Sequence, residues 1–413
     1  MARIFPFQPY RYSPAAGPLD RLVTQPYDKI NAAMQARYLG LSSHNLVRII
    51  LGERFPWDSA ADNVYTRAAS YLQDWIESGV LAREAEPALF PYFQDFTNPD
   101  TGQRLVRKGF IGLGAVEDYS EGVVHRHEQT LSGPKKDRLA LLRHTHAHFG
   151  QLFMLYPDPE GEVDRILEDA ARAEPLARVT DEYQAEHRLW KVSDPPRIAR
   201  LRQLMSAKKL LIADGHHRYE TALAFHRENP HLPGADKVMM TFVNMHAPGL
   251  TILATHRLVN GLEGFQAGAF LERARALFRV SEAGSLEQLR QAWTARPPDA
   301  ARIGVLAAGA DTIYLFDRPR QGRLDLEVLH QDLLDGVLGI TAEAVREEKY
   351  LRYIRGLEAA VAEVGRGAAQ IALLVEPVPV GEVARIAFAG GVMPQKSTDF
   401  YPKLLSGLTI YRL

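Results

Sequence analysis

The sequence predicts a mixed α/β (α+β) protein in two parts, and three observations carry that prediction. Helical patterns alternate with short apolar runs along most of the chain, as in proteins that pack helices against sheets. Two stretches rich in aromatic and β-branched residues, 88–97 and 104–116, flank Asn98-Pro99-Asp100-Thr101-Gly102 and read as a hairpin. A compositional break at Asn260-Gly261 divides a chain of 413 residues, more than one core usually serves at roughly 150 residues per domain. The expected units are therefore 1–260, carrying the hairpin as an insertion, and 261–413, an α/β unit with a tail able to return to the site of the first.

The elements follow in chain order. A strand is expected over 45–51. Val64, Ala68, Tyr71, Leu72, Trp75 and Ile76 recur at three- and four-residue spacing and predict a helix over 62–79 stopped by Gly79. After the hairpin, 136–148 reads as helix, Leu152 to Tyr156 as a buried strand and 162–173 as helix. Strands are expected at 176–181 and 187–192, and Asp194-Pro195-Pro196 opens a helix to Ala207 by the cap-then-proline rule. Lys209 to Ala213 is a compact apolar strand, and a helix starts after Gly215 with Tyr219, Ala222, Leu223 and His226 on one face. Strands at 239–245 and 251–259 close the first part. The second alternates helices (264–278, 285–295, 325–336, 343–364) with strands (302–307, 312–316, 370–375). No repeat of fixed period and no low-complexity tract interrupts this pattern.

Composition narrows the chemistry. With 46% hydrophobic and 24% charged residues the chain is expected to fold throughout. It has no cysteine, which excludes disulfides, thiolate zinc sites and a cysteine nucleophile. A formal charge of −1 offers no global attraction to a polyanion and weighs against nucleic acid as a partner. The local patch Lys135-Lys136-Asp137-Arg138 reads as a solvated loop entering a helix. Prolines and arginines interrupt the N-terminus where a signal peptide needs an apolar core, and the longest apolar runs fall short of a membrane span. A cytoplasmic protein with no membrane partner is expected; oligomeric state is not legible.

Chemistry concentrates at Ala213-Asp214-Gly215-His216-His217-Arg218-Tyr219-Glu220. A buried strand ends there and a helix starts, so the first helical N–H groups are unpaired and form an anion site. Gly215 lets a group approach the backbone, His216 and His217 bring donors, and Arg218 suits a bidentate phosphate contact. Asp214 reads either as a Mg²⁺ ligand or general base beside that phosphate, or as a plain N-cap. Glu220, four residues after His216 and three after His217, can orient or raise the pKa of either imidazole.

The stretch Ile212-Ala-Asp-Gly-His-His-Arg-Tyr-Glu-Thr-Ala-Leu223 resembles the signature of the bacterial and archaeal domain-of-unknown-function-1015 family. Four other stretches resemble it too: Pro26-Tyr27-Asp28 with Ile30, Asn45-Leu-Val-Arg48, His127-Glu128-Gln-Thr130, and the tail from Met393 through Lys396-Ser397-Thr398 to Lys403. Asp-Gly-His-His-Arg is also similar to the motif of the ParB/sulfiredoxin-like superfamily, which includes small-molecule serine kinases. That resemblance implies a ParB/sulfiredoxin-like core with additional N-terminal segments, binding nucleotide phosphate at 214–218. It implies either phosphoryl transfer from ATP or ADP with Mg²⁺ or ParB-like clamping by CTP. His216 stands where sulfiredoxin has its cysteine, which removes thiol-based sulfinic-acid repair. The serine kinases use a glutamate base from the N-terminal part; here Asp28 and Glu53 are the candidates.

The remaining clusters take their roles from the same resemblance. His127 and Glu128 are candidate substrate contacts, as is Lys403. Lys396, Ser397, Thr398 and Arg48 are candidate nucleotide contacts, although the Gly-x-x-x-x-Gly-Lys-Ser spacing of a Walker loop is missing. His144, His146 and His148 alternate; on a helix end only His144 and His148 align, so zinc there is a minority alternative. The expected function is a nucleotide-dependent phosphotransferase acting on a small hydroxylated metabolite such as free serine. The alternatives are a nucleotide-binding regulatory switch without transfer and a histidine-based metal hydrolase.

Overall fold

A computed structural model describes residues 2–128 and 132–413, with side chains described outside 132–134. It is a mixed α/β protein of two compact units. The first comprises 2–251, 384–392 and 400–413, and the second 252–383 and 393–399.

The first unit is built on a sheet of nine strands among the described residues. Its order runs Val124–His125, Leu210–Asp214, Leu152–Tyr156, Lys237–Asn244, Arg104–Ala115, Phe90–Thr97, Glu186–Leu189, Ala177–Thr180. Ile4–Phe5 adds a further pairing to Arg104–Ala115. The hairpin forms as its turn residues dictate, and its strands lie inside the sheet. Strands buried on both faces read as continuous apolar runs, and Leu152 to Tyr156 is buried at every position. Helices cover the sheet: Glu162–Ala170 through Val163 and Leu167, Pro195–Ser206 through Leu201 and Met205, and His216–Glu228 through Tyr219 and Ala222. Burying a side chain such as Leu201 fully contributes ~1.5–3 kcal/mol. A separate core joins Leu46, Ile49 and Ile50 to Ala68, Leu72 and Trp75 of the helix Val64–Glu77. Asn63 starts that helix by accepting the N–H groups of Tyr65 and Thr66 at 2.9 and 3.2 Å.

The second unit has a six-stranded antiparallel sheet in the order Arg279–Gly284, Ile313–Pro319, Ala300–Ala307, Ile371–Leu374, His256–Val259, Leu351–Ile354. The helices Leu286–Thr294 and Leu357–Gly365 pack on it through Leu289, Trp293, Ala360 and Val364.

Four local expectations are corrected. The strand expected at 45–51 is the short helix Val47–Ile50, because the Asn45 side chain accepts the Val47 N–H at 2.9 Å and turns the chain. The single helix expected at 343–364 is interrupted by the strand Leu351–Ile354, which Gly356 (φ +81°) ends before Leu357–Gly365 begins. His144 ends the helix Ser132–Thr145, but His148 lies on the strand Ala147–His148 and stacks on Tyr411. Arg279–Gly284 and Val380–Phe388 had no counterpart among the expected elements.

Candidate functional site

The strand Leu210–Asp214 lies between Val124–His125, parallel to it, and Leu152–Tyr156, antiparallel. Its register slips by one residue between Ile212 and Asp214, a bulge that re-aims the Asp214 carboxylate at the strand's end. Gly215 follows at φ +98°, a conformation open to glycine. A Cβ there would stand 2.9 Å from Leu152 Cδ2 and 3.1 Å from Arg218 Cζ, so the space over this glycine belongs to Leu152 and Arg218. The helix His216–Glu228 then begins at Gly215 without a side-chain cap from that residue, and the positive end of its dipole lies at the junction.

Asp214 is about one-quarter exposed, with Arg218 Nη2 at 3.5 Å and Lys403 Nζ at 3.8 Å. Burial acts to raise its pKa, but the charges of Lys403, Arg218 and Lys29 override it and hold the carboxyl well below its usual range. His216 is 7% exposed, and its Nε2 has no hydrogen-bond partner among the described residues. Burial first, then His127, pushes its pKa well below the ordinary imidazole value. His127, 1% exposed, meets His216 edge to face with ring centroids 4.7 Å apart. Its Nδ1 lies 2.8 Å from the Ile212 carbonyl, so Nδ1 carries the proton. Burial lowers its pKa to about 4, and it is neutral at pH 7.

Around these buried groups stands a charged rim. Glu220 pairs with Lys135 and, at 3.6 Å, with Arg126. His217, half-buried, is lowered by burial, with Glu220 and Asp28 acting to raise it and Lys135 and Arg218 to lower it. Asp28 lies 3.9 Å from Lys29. Beside Arg218 is a recess of ≈60 Å³ lined by Tyr27, Arg138, Phe149, Gly150 and Ser406. Arg107 lies beneath, fully buried, its pKa lowered to about 9 by desolvation. It donates to the Tyr401 carbonyl at 3.1 Å and to the Pro402 carbonyl at 2.5 Å. Gln94 donates to the Lys403 carbonyl at 2.8 Å and Gln151 to the Leu405 carbonyl at 3.2 Å. These bonds fix residues 401–405 and with them the base of the Lys403 side chain.

The family model described as "Protein of unknown function (DUF1015)" matches residues 4–335. The chain belongs to the DUF1015 family. No protein of curated function matches it. Among solved structures it is similar to a conserved hypothetical protein from Pyrococcus furiosus at 13% identity, covering 69% of this chain and 92% of that one, with a TM-score of 0.35. A free serine kinase in complex with AMP matches at 12% identity over 69% and 89%, TM-score 0.37. Truncated SbnI from Staphylococcus aureus matches at 10% over 72% and 87%, TM-score 0.36. Likeness at this distance fixes no chemistry for a DUF1015 site.

The candidate residues divide. Asp214, Gly215, His216, His217, Arg218, Glu220, His127 and Lys403 come together, with Asp28 near His217. Glu128 is half-buried next to His127; Gln129 and Thr130 lie outside the described residues. Three expectations change. Arg218 does not point outward as a free fork: its Nη1 donates to the Gln151 carbonyl and its Nη2 faces Asp214, because Gly215 leaves room for the guanidinium to fold back. Arg48 donates from Nη2 to the Leu39 carbonyl at 2.9 Å and closes the end of the helix Ala32–Leu41, a structural duty. Lys396, Ser397 and Thr398 fold with the second unit, where Arg257 donates to the Lys396 carbonyl at 3.1 Å. Glu220 pairs with Lys135 and Arg126, so it acts on His217 through charge, and Lys135 belongs to the rim rather than to a solvated loop.

Lys29, Arg126, Arg107, Gln94 and Gln151 went unsingled in the sequence. Lys29 adjoins the recognisable Pro26-Tyr27-Asp28 and Arg126 adjoins His127-Glu128, which are usable signals; Arg107 and the two glutamines, within strands and loops, give none. Among the described residues no three His, Asp or Glu side chains gather to hold a metal ion, and no helix is long and apolar enough to cross a membrane.

Proposed function

We propose that this DUF1015 protein is a nucleotide-dependent phosphotransferase, a cytoplasmic kinase using ATP or ADP with Mg²⁺ on a small hydroxylated metabolite such as free serine. One observation carries the reading. An uncapped helix start, a buried His216 whose Nε2 has no partner among the described residues, and the cations Lys403, Arg218 and Lys29 surround one carboxylate, Asp214, while Lys135 and Arg126 add positive charge at Glu220. That set complements a phosphate chain, whose oxygens would approach the positive end of the helix and supply the partner His216 lacks among the described residues.

The role of each group follows from its surroundings. The N–H groups after Gly215 and the rim cations hold phosphate oxygens and stabilise charge that spreads during transfer. Mg²⁺ commonly needs one or two carboxylates plus substrate phosphates, and Asp214, ionised and partly exposed, fits that requirement. The metal would neutralise phosphate charge there. Asp28, on the rim beside His217, is the candidate general base for a substrate hydroxyl. The small recess beside Arg218 suits a few-atom substrate and not a second nucleotide.

A second reading is favoured by one feature: Asp214 is already engaged by Lys403 and Arg218, so a nucleotide could displace those ion pairs and switch the protein without transfer. Turnover separates the two. Purified protein with Mg²⁺, ATP or ADP and a panel of amino acids and hydroxy acids is expected to consume nucleotide and yield a phosphorylated product. Binding without consumption favours the switch, and absence of binding removes both readings.

A further inference from the structure

A chain of buried polar side chains runs through the first unit outside the phosphate site. Its centre is Asp181, in the turn between the strands Ala177–Thr180 and Glu186–Leu189. Asp181 Oδ1 accepts the N–H groups of Tyr183 and Ala185, each at 2.9 Å. Its Oδ2 accepts Gln25 Nε2 at 3.1 Å and lies 3.2 Å from His187 Nε2. Four bonds match the lone-pair sites of one carboxylate. Burial acts to raise the Asp181 pKa, but the bonds from His187, Ala185 and Tyr183 override it and hold the carboxyl below its usual range. Beside an ionised Asp181, His187 Nε2 carries the proton, and Nδ1 is left to accept the Tyr92 hydroxyl at 2.6 Å. The Tyr92 oxygen in turn accepts the Leu405 N–H at 3.4 Å. Gln94 Nε2 stands 3.3 Å from the same Nδ1 and donates to the Lys403 carbonyl at 2.8 Å.

Both ends of this chain finish on segments that supply the phosphate site. At one end Gln25 directly precedes Pro26-Tyr27-Asp28-Lys29, and its own N–H donates to the Tyr38 hydroxyl at 3.3 Å. At the other, the bonds to the Lys403 carbonyl and the Leu405 N–H bracket the tail that brings the Lys403 ammonium to 3.8 Å from Asp214. The two segments also meet directly, since Thr24 and Ser406 exchange backbone bonds of 3.2 and 2.9 Å. Gln25, Tyr92, Gln94, Asp181 and His187 are all buried. A buried polar network adds less stability than apolar side chains of the same volume; what it adds is direction, because each donor fixes the acceptor beside it.

We propose that Asp181 and His187 are positioning residues of the phosphate site, holding Lys403 and the Asp28-Lys29 segment in one register through Tyr92, Gln94 and Gln25. The consequence for binding rests on the nucleotide reading above. The consequence for geometry rests on the Asp214–Lys403 pair alone, so the two can be measured apart.

The test uses the full chain and two readouts. One is the rate at which acetic anhydride modifies Lys403, followed by mass spectrometry against the other lysines of the same digest. The other is calorimetric affinity for ATP with Mg²⁺. Tyr92→Phe keeps the ring and removes the hydroxyl between His187 and Leu405; Asp181→Asn keeps the shape and removes the charge. Each is expected to speed Lys403 modification and to weaken ATP binding by roughly fivefold, the order that one lost hydrogen bond sets. The double variant is expected to fall no further than the weaker single variant, because both changes break one chain. Variants that lose stability but protect Lys403 and bind ATP as wild type does overturn the inference. If Asp181→Asn does not fold, Tyr92→Phe decides by the same two readouts. If wild type binds no ATP, the nucleotide reading falls; faster Lys403 modification in Tyr92→Phe then still upholds the positioning role, and an unchanged rate overturns it.

Discussion

Replacing Lys403 by methionine tests the electrostatic core of the site. The ammonium is 8% exposed and lies 3.8 Å from Asp214, so the pair is worth about 4 kcal/mol at an effective dielectric of ~20 and about 1 kcal/mol in bulk water. The one-quarter exposure of Asp214 and the remaining Arg218 at 3.5 Å place the net cost between those bounds. Lys403→Met should therefore destabilise the first unit by about 2 kcal/mol. The assay is urea unfolding of wild type, Lys403→Met, Asp214→Asn and the double variant, with unfolding of the second unit followed separately. Asp214→Asn removes the charge that needs compensation, so the cycle should return a coupling of about 1–2 kcal/mol. A coupling below ~0.5 kcal/mol would mean that the two groups do not sense each other and that residues 401–405 were fixed for another reason.

Gly215→Ala should cost about 2–4 kcal/mol, because it combines a left-handed backbone at φ +98° with a Cβ 2.9 Å from Leu152; wild-type denaturant stability would contradict the junction geometry. His127 has its pKa lowered by burial to about 4. Its contribution is fully present above the unfolded value of ~6.5 and is lost as pH falls toward 4, amounting to about 3 kcal/mol. Unfolding midpoints between pH 7 and 4 should drop more steeply in wild type than in His127→Gln, and parallel curves would refute the assignment. Arg48→Ala should cost about 1 kcal/mol of stability through its lost bond to the Leu39 carbonyl and leave nucleotide affinity by calorimetry unchanged.

Much of this architecture was legible because burial and period agree. Val64, Ala68, Leu72 and Trp75 repeat at helical spacing and are buried together, and Asp194 caps Pro195–Ser206 by accepting the Arg197 N–H at 3.0 Å. The failures have equally local causes. Leu46 to Leu51 is apolar except for Arg48, and so short a run does not distinguish strand from helix; what decides it is the side chain of Asn45. Arg279–Gly284 is mostly exposed and polar, an edge strand with no apolar alternation to betray it. At the site, the strand-to-helix junction was visible in the glycine and the apolar run before it. The partner of Asp214 across 189 positions of chain was not derivable from spacing, and Lys403 entered only through a resemblance.

The recognisable stretches do not all serve the same purpose, and the structure gives a physical way to sort them. Asp214 to Glu220, His127 and Lys403 share one charge and hydrogen-bond environment, so a change in any one alters the pKa or pairing of another. Tyr27 joins them through its ring, which carries Arg138 at 4.0 Å and lines the recess beside Arg218. Asn45 and Arg48 belong to a different set. Asn45 is fully buried and donates to the Arg21 carbonyl at 2.8 Å, and Arg48 closes a helix end, so both satisfy backbone groups. Arg107 and Gln94 complete the picture from outside any recognisable stretch. A buried guanidinium is costly, and Arg107 spends its donors on the Tyr401 and Pro402 carbonyls and on the Gln94 side-chain oxygen instead of on a carboxylate. Such an arrangement stabilises the fold less than an apolar core would. What it gains is a rigid tail that delivers one ammonium to Asp214, as the phosphate site proposed above would need.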